Sequence, residues 1–343
     1  MLTIVIIAIV IALLFDFLNG MNDAANSIAT IVSTKVLSPT AAVFWAAFWN
    51  FAAFFIFGVT VANTMGKGIV DPNFINPYVI LSALIGAVMW VWACTHFGMP
   101  ISVSHALIGG LIGPVLFTHG PSALIATGIF KIGIFIVLAP LIGACLAFIM
   151  MAITLRVFKN AHPLKVEKTF HVLQLFSSAV FSLGHGGNDA QKTMGIIAIL
   201  LFSVAGTNEF VSTYLYQPGI GFHVPLWITI TCYSVIALGT LTGGWRVIKT
   251  LGDGLAKLKP VQGFCAETAG ALTLIGTAVS GIPVSTTHTI TGAIVGVGMT
   301  KGMASVKWAT AKNIVYAWIF TIPASLLLSG LIYLLISSFL NLS

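Results

Sequence analysis

Residues 184–193 read Gly-His-Gly-Gly-Asn-Asp-Ala-Gln-Lys-Thr, and the sequence on both sides of them is apolar. Ionisable side chains such as Asp189 and Lys192 are rare within a membrane, and those that occur there usually serve an ion or substrate pathway. The three glycines predict a break in the helix within this stretch, which a bilayer tolerates only where the backbone lines a cavity or is buried in protein. A related stretch, Asn-Gly-Met-Asn-Asp-Ala-Ala-Asn-Ser at residues 19–27, predicts a similar break near residues 19–23.

The composition of the whole chain fits segments that lie in a membrane. It is 58% hydrophobic and only 7% charged over 343 residues, whereas soluble domains contain about 25% charged residues. Apolar runs close to the roughly 20 residues that span a bilayer recur along the chain. We therefore predict an all-α polytopic membrane protein whose surroundings are the lipid bilayer. Residues 2–15 lack a basic start and a cleavage site, so we interpret them as a first helix and not as a removed signal. The four cysteines stand singly, and no cofactor is predicted.

Hydropathy predicts ten net crossings of the membrane. The two that contain the glycine-rich stretches can each combine a re-entrant piece with a span, so we predict about 10–12 transmembrane segments. The predicted crossings are 1–34, 41–62, 77–95, 98–117, 122–155, 170–203, 224–244, 262–280, 282–300 and 313–340. With the N-terminus outside, the internal connections hold 12 of the 15 Lys and Arg residues. This distribution predicts N-out and C-out. The formal charge of +7 therefore reflects membrane topology and indicates no nucleic-acid partner.

Two motifs occur once in each half of the chain. Asn-Asp-Ala stands at 22–24 and 188–190, and Gly-x-Pro-x-Ser-x-Ser/Thr-His stands at 98–105 and 281–288. Each half contains five predicted crossings, an odd number, so the second half must be inverted relative to the first. We therefore predict two inverted-topology repeats with broken or re-entrant helices, an arrangement typical of secondary transporters. The predicted parts are a first repeat at 1–155, a cytoplasmic connector at 156–170 and a second repeat at 171–343.

The Gly-x-Pro-x-Ser motifs predict two helix starts inside the membrane. A helix N-terminus presents free N–H groups and a positive dipole end, which favour an oxyanion, and hydroxyls add donors without adding charge. Ser and Thr at such positions can also do no more than cap the helix or bond to its carbonyls. Because the motif occurs twice in register, we favour an anion site with supporting histidines. The predicted residues are Ser102, Val103, Ser104, Ser285, Thr286 and Thr287, with His105 and His288 in support.

The Asn-Asp-Ala stretches supply oxygen acceptors. Carboxylate and carbonyl oxygens suit a hard cation such as Na⁺, and a carboxylate at membrane depth can instead carry H⁺. Asp189 can also form a purely structural pair with Lys192, but the first repeat has Asn26 at the matching position and no such partner. We therefore predict cation coupling, with Na⁺ or H⁺ as the coupling ion. The predicted residues are Asn22, Asp23, Asn26, Asn188, Asp189 and Glu267, with Na⁺ placed at Asn22, Asp23, Asn188 and Asp189.

Four segments resemble the inorganic phosphate transporter (PiT) family: GMNDAANSIAT at 20–30, GHGGNDAQKTMGI at 184–196, GMPISVSHALIGG at 98–110 and GIPVSTTHTITGA at 281–293. The resemblance covers nearly the whole chain and implies cotransport of phosphate with Na⁺ or H⁺ through two inverted repeats. It also implies that Asn22, Asp23, Asn188 and Asp189 lie at the ion and substrate site, and that Ser102–Ser104 and Ser285–Thr287 bind phosphate. We extend the predicted phosphate site to Gln191, Lys192 and Thr193.

The sequence thus predicts a multi-pass protein of the cell membrane, a secondary active symporter that imports inorganic phosphate with Na⁺ or H⁺. A permease for sulfate or a metal–phosphate complex is the alternative. Phosphate is favoured because at neutral pH it retains protons that it can donate to Asp23 or Asp189. An intramembrane hydrolase and a passive channel are rivals from other classes, but the chain lacks HExxH and GxSxG motifs, and we predict no enzyme and no catalytic residues. Glycine-rich faces can serve packing within one chain or between two chains of a homodimer.

Overall fold

The chain folds into a bundle of α-helices. The computed structural model describes residues 1–340, except for the side chains of Pro218 and Asp253. This range contains twelve α-helices and no β-strand, which confirms the predicted all-α class. The helices are α1 (Leu2–Ser33), α2 (Pro39–Ala52), α3 (Thr60–Lys67), α4 (Pro77–Phe97), α5 (Val103–His119), α6 (Ala126–Val157), α7 (Pro163–Ala205), α8 (Leu226–Thr242), α9 (Trp245–Leu255), α10 (Pro260–Val279), α11 (Thr286–Met299) and α12 (Trp308–Leu340).

Several of these helices can span a membrane. Each of α1, α4, α6 and α12 is long and apolar enough to cross on its own, and two bent pairs raise the number in the described range to as many as six. The α2–α3 pair bends by 85° and the α8–α9 pair by 74°, so broken helices are present as predicted. The shorter helices α5 and α11 have 17 and 14 residues. The number of crossings and the N-out, C-out orientation stay predictions.

The predicted helix breaks near 19–23 and 184–189 are wrong. Both α1 and α7 run as continuous α-helix through these residues. The glycines serve close packing instead, because a Cβ on Gly20 would lie 2.1 Å from the Ile236 carbonyl oxygen of α8. A Cβ on Gly186 would likewise lie 2.5 Å from the Asn50 carbonyl oxygen of α2. The backbone carbonyls of these segments therefore stay in helical hydrogen bonds, and only side chains are left to form a site.

We expect Gly20→Ala to destabilise the protein by about 1–3 kcal/mol, because the new methyl group must push α1 away from the α8 backbone. A lower Tm in detergent would show this. Gly133→Ala in α6 is the matched control, since within residues 1–340 no atom outside its own helical turn lies within 4 Å of a Cβ on Gly133. That variant is expected to unfold at or slightly above the wild-type temperature. Equal Tm values for the two variants would contradict the packing role of Gly20.

The helix contacts of the first half recur in the second half with the partners exchanged. Helix α1 packs against α4, α8 and α9, whereas α7 packs against α10, α2 and α3. Helix α5 packs against α12, and α11 packs against α6. Of the predicted connector at 156–170, only residues 158–162 lie between helices, because Pro163 occupies the first position of α7, where a proline is favourable. Helices α1 and α7 thus occupy equivalent positions at the centre of the bundle.

Candidate functional site

Polar side chains form a stripe along each of the two central helices. On α1, Asn19, Asp23 and Asn26 recur at spacings of three and four residues, which place them on one helix face. The stripe on α7 includes His185 and Asp189 at the same spacing. All five side chains are buried. Because the stripes face inward in the bundle, their polar groups meet one another and not lipid.

Two carboxylates and an imidazole converge where α1 and α7 meet. One ligand atom from each of Asp23, His185 and Asp189 lies within 4.8 Å of the other two. His185 Nε2 is 3.3 Å from Asp189 Oδ2 and 3.9 Å from Asp23 Oδ2. Such a group of buried side chains can hold a cation, and oxygen ligands are those that hard cations prefer. The structure therefore brings together Asp23 and Asp189, as the sequence predicts.

The start of α11 contacts both carboxylates. Thr286 Oγ1 lies 3.1 Å from Asp23 Oδ2 and 3.1 Å from Asp189 Oδ2. Thr287 Oγ1 lies 3.4 Å from Asp23 Oδ1. Asn26 Nδ2 donates to both hydroxyls, at 3.2 Å and 2.9 Å, so their own protons are directed toward the carboxylates. Helix α11 is therefore tied to the charge of this site through its first two residues.

Lys192 joins the site to the start of α5. Its ammonium group donates to Asp189 Oδ1, to Ser104 Oγ at 2.5 Å and to the Val284 carbonyl oxygen at 2.7 Å. The side chain is only 1% exposed. A buried ammonium needs such a full set of acceptors, because leaving the charge unpaired would be costly. The Asp189–Lys192 pair is thus present, and it also places a positive charge between both Gly-x-Pro-x-Ser motifs.

His185 was not among the predicted site residues, and its hydrogen bonds restrict its chemistry. Asn50 Nδ2 donates to Thr240 Oγ1 at 2.9 Å, which leaves Asn50 Oδ1 to accept from His185 Nδ1 at 3.0 Å. With the proton on Nδ1, the Nε2 atom faces two carboxylates. A bare lone pair there would be repelled, so Nε2 either carries a proton or faces a bound cation. The sequence signal was the spacing, since His185 precedes Asp189 by one helical turn.

Several buried polar atoms around this centre have no partner in the described part of the chain. Both side-chain amide atoms of Asn188 lack one, as do the amide oxygens of Asn22 and Asn26. Asn188 is 0% exposed. Buried polar atoms are almost always hydrogen-bonded, so a cluster of exceptions points to groups that bind a ligand or an ion. The predicted residues Asn22, Asn26 and Asn188 thus have buried amide oxygens without a partner among the described residues, and Asn22 and Asn188 directly precede Asp23 and Asp189 in sequence.

Comparison with known proteins agrees with this architecture. Residues 19–329 match the sequence profile of the phosphate transporter family. The chain belongs to this family. It is 54% identical over 325 residues to a probable low-affinity inorganic phosphate transporter of Rhizobium meliloti (strain 1021), covering 95% of this chain and 94% of the relative. A relative of the same description from Bacillus subtilis (strain 168) is 38% identical over 339 residues, with 98% of each chain covered.

A solved structure described as the sodium-dependent phosphate transporter superposes on this phosphate transporter with a TM-score of 0.86 at 25% identity. The match covers 98% of this chain and 99% of the other. The recognition of the family from its four motifs is therefore confirmed. The relatives are transporters and not enzymes, so the intramembrane hydrolase is no longer a candidate.

The two helix starts of the transporter meet through their histidines. The backbone N–H of His105 donates to Ser102 Oγ, and that of His288 donates to Ser285 Oγ, each at 3.2 Å. The two imidazole rings contact edge to face, with centroids 4.8 Å apart. Ser102 and Ser285 therefore cap α5 and α11, which is the alternative role considered for the serines of this motif. The motif nevertheless brings both helix starts to the same place, which an isolated cap would not require.

Two residues predicted to bind phosphate, Gln191 and Thr193, have side chains that are hydrogen-bonded to groups outside the Asp23–Asp189 cluster. Gln191 Oε1 accepts from the backbone N–H of Val61 at 2.8 Å and so holds the start of α3. Its Nε2 donates to the Gly187 carbonyl oxygen at 2.5 Å. Thr193 Oγ1 donates to Asp16 Oδ1 at 2.9 Å. Within the described residues, the Thr193 hydroxyl and one of the two Gln191 amide N–H groups are thus already engaged, and neither side chain contacts the Asp23–Asp189 cluster through these bonds.

Glu267 forms a separate polar site. Thr30 Oγ1 donates to Glu267 Oε1 at 2.6 Å, Gln174 Nε2 donates to the same oxygen at 2.9 Å, and Ser177 Oγ donates to Oε2 at 2.5 Å. Thr30 follows Asp23 by seven residues on α1, which corresponds to about 10 Å along the helix. Glu267 is therefore about two turns away from the Asp23–Asp189 centre of this transporter, although the same two helices supply its partners.

Proposed function

We propose that the protein is a secondary active symporter that imports inorganic phosphate across the cell membrane, with Na⁺ as the coupling ion. The single observation that carries the proposal is the contact of Thr286 with Asp23 and Asp189, at 3.1 Å each. This hydroxyl belongs to the predicted phosphate site, whereas the two carboxylates belong to the predicted cation site. One side chain thus touches both sites, which gives coupling a physical route.

The charges of the site favour a bound cation. Asp23 and Asp189 bring two negative charges, and Lys192 balances one of them through its bond to Asp189. The remaining negative charge is buried and needs a counter-charge. Na⁺ is proposed because hard cations prefer oxygen ligands, and Asn22 and Asn188, the residues before Asp23 and Asp189, have amide oxygens without a partner among the described residues. The description of the similar solved structure as sodium-dependent supports the same ion. A proton on His185 Nε2 is the alternative.

Cation binding also prepares the phosphate site. In the structure described here, the Thr286 and Thr287 hydroxyl protons are directed to carboxylate oxygens. A cation that takes over those oxygens releases the hydroxyls, which can then donate to a phosphate oxygen together with the N–H groups at the start of α11. Lys192 bonds to Ser104 of α5 and to the Val284 carbonyl oxygen just before α11, so it places a positive charge at both helix starts, Val103–Ser104 and Thr286. Phosphate thus binds well only after the cation, which is the requirement for symport.

Movement between two states is expected to follow the two halves of the chain. We propose that residues 1–155 and 171–343 form inverted repeats, because α1 and α7 make equivalent contacts with exchanged partners. Related pairs such as α5–α12 and α6–α11 each join one helix from either half. Rocking of one set of helices against the other would expose the central site alternately to the two faces.

Uptake of radiolabelled phosphate into proteoliposomes tests this function. We expect uptake driven by an inward Na⁺ gradient, weak uptake with a pH gradient alone, and little inhibition by excess sulfate. Uptake that requires the pH gradient would reassign the counter-charge to a proton on His185 or a carboxylate. Strong inhibition by sulfate, with sulfate itself transported, would contradict phosphate as the substrate. Uptake that neither saturates nor follows any ion gradient would indicate a channel.

Glu267 is proposed as a second cation-coupling residue. Glu267→Gln removes its charge but keeps its volume, so we expect the Na⁺ concentration for half-maximal uptake to rise about tenfold, equivalent to about 1.4 kcal/mol. The phosphate KM at saturating Na⁺ should change much less. Glu209→Gln is the matched control, because Glu209 is exposed in the helical segment between α7 and α8. An unchanged Na⁺ dependence in Glu267→Gln would show that this carboxylate only holds α1, α7 and α10 together.

A further inference from the structure

A cavity of about 310 Å³ opens beside the central site at the corner between α8 and α9. Its lining includes Met21 of α1, Thr95 and His96 at the end of α4, and Gly243, Gly244 and Arg246 at the corner. Among the described residues 1–340, no acidic side chain lines this cavity. This cavity is distinct from the Asp23–Asp189 cluster, and the mechanism above makes no use of it.

A hydrogen bond links the lining of this cavity to α1 next to the central site. Thr95, which lines the cavity, accepts a hydrogen bond from Asn22 Nδ2 at 2.7 Å. A Cβ on Gly244 would lie 2.6 Å from the Met21 carbonyl oxygen and 3.5 Å from Asn22 Cα. Gly243 has a φ of +65°, a conformation that glycine adopts without strain. The α8–α9 corner therefore rests on the α1 backbone at Met21 and Asn22, immediately before Asp23.

The cavity carries positive charge that is not neutralised by a carboxylate. The guanidinium of Arg246 donates to the His96 carbonyl oxygen, and the described residues provide no partner for its other N–H groups. Arg246 is exposed, and the His96 ring stacks on Trp92 with centroids 5.7 Å apart. A planar guanidinium with free donors is well suited to bind a phosphate-like oxyanion.

The repeat-related positions have no equivalent of this charge. In the register of the Gly-x-Pro-x-Ser motifs, Thr95 and His96 correspond to Ala278 and Val279. In the register of Thr64-Met65-Gly66 and Thr250-Leu251-Gly252, Arg246 corresponds to Thr60. The basic cavity is thus present on only one of the two sides that the repeat relates, so the duplicated fold by itself does not explain it. That side is the one which the distribution of Lys and Arg predicts to be cytoplasmic.

We propose that this cavity is a second oxyanion site, in which Arg246 and His96 hold inorganic phosphate on its way between the central site and the membrane face at α9. The inference rests on the proposed function for the identity of the anion, but not for the presence of an anion site. Phosphate leaving the central site would meet the Arg246 guanidinium as soon as the α8–α9 corner moves off Met21.

Labelling with phenylglyoxal, which modifies arginine, tests the site without requiring transport. The chain has only two arginines, Arg246 and Arg156, so Arg156 serves as an exposed internal control in every sample. The purified full chain is labelled with increasing inorganic phosphate, with chloride at equal ionic strength in parallel, and each arginine is quantified by mass spectrometry. We expect phosphate at ten times its dissociation constant to slow labelling of Arg246 about tenfold, because only the empty fraction reacts. Arg156 should be unaffected.

The same protection by chloride, or equal protection of both arginines, would overturn the proposal. His96→Gln removes the imidazole and should weaken the protection of Arg246 by phosphate. If phosphate protects Arg246 in this variant as strongly as in the wild type, the histidine is not part of the site. Uptake distinguishes this inference from the proposed function: Arg246→Gln should raise the phosphate KM measured from the α9 face, and Lys249→Gln, one turn further along α9, should not. Protection of Arg246 in a protein that moves no phosphate would refute the transport function and leave the anion site in place.

Discussion

Asp189→Asn is expected to lower Na⁺-driven phosphate uptake by about a hundredfold, equivalent to about 2.7 kcal/mol of lost stabilisation. The substitution keeps the shape of the side chain but removes a charge that Lys192, His185 and Thr286 all contact. The bound cation would lose one of its two carboxylates, and Lys192 would lose its counter-ion. We therefore expect both Na⁺ affinity and turnover to fall, and the Tm to fall as well, because Lys192 is left buried without its counter-ion; uptake is therefore expressed per amount of folded protein.

Initial rates of radiolabelled phosphate uptake at several Na⁺ concentrations provide the measurement. Asp71→Asn is the matched control, because Asp71 caps a short helical turn outside the site and accepts from the Asn73 N–H at 2.9 Å. It should transport at close to the wild-type rate. Full coupled uptake by Asp189→Asn would remove Asp189 from the coupling mechanism and restore the view that its pair with Lys192 is purely structural.

Lys192→Met is expected to have the largest effect on stability. The change removes a buried ammonium and leaves the Asp189 carboxylate buried without its charge partner, which typically costs about 3–5 kcal/mol. Ser104 and the Val284 carbonyl oxygen lose a donor at the same time. Thermal unfolding in detergent should show a large drop in Tm. Because Na⁺ can partly replace the missing charge, added Na⁺ should raise the Tm of this variant more than that of the wild type.

The double variant Asp189→Asn with Lys192→Met separates the structural role of the pair from its role in transport. Removing both charges should recover most of the lost stability, because neither side chain then carries an unpaired buried charge. It should not recover uptake, since the cation site still lacks a carboxylate. A double variant that is both stable and active in Na⁺-driven uptake would contradict the assignment of Asp189 to cation coupling.

Much of the fold could be predicted from sequence, because apolar runs and duplicated motifs are local signals. The predicted segments at 77–95 and 262–280 agree closely with α4 and α10. The span predicted at 41–62 was only partly correct, since α2 and α3 meet at 85° within it. The predicted breaks failed because a glycine can mark either a bend or a close helix contact. Only the positions of Ile236 and Asn50 decide between these readings for Gly20 and Gly186.

The site was predictable where the motif carried the chemistry and not where the partners come from other helices. Asp23, Asp189 and Thr286 stand in duplicated motifs, and the structure places them in contact. His185 was missed because its role depends on Asn50, which is 135 residues away in sequence. Gln191 was predicted to bind phosphate, but its amide oxygen accepts from the Val61 N–H and so holds the start of α3. Residues adjacent in sequence, such as Gln191 and Lys192, thus bind different partners, whereas residues far apart in sequence, such as Asn50 and His185, are in contact.

Transport of Na⁺ by a phosphate gradient is the most direct test of the central claim that Asp23 and Asp189 bind the ion that phosphate requires. Proteoliposomes containing the full chain would receive radiolabelled Na⁺ at equal concentration on both sides and phosphate on the outside only. The proposed mechanism predicts that the phosphate gradient drives Na⁺ into the vesicles above its equilibrium level, and that the Asp189→Asn variant does not do so. Phosphate accumulation without any movement of Na⁺ by the wild-type protein would contradict sodium coupling at this site.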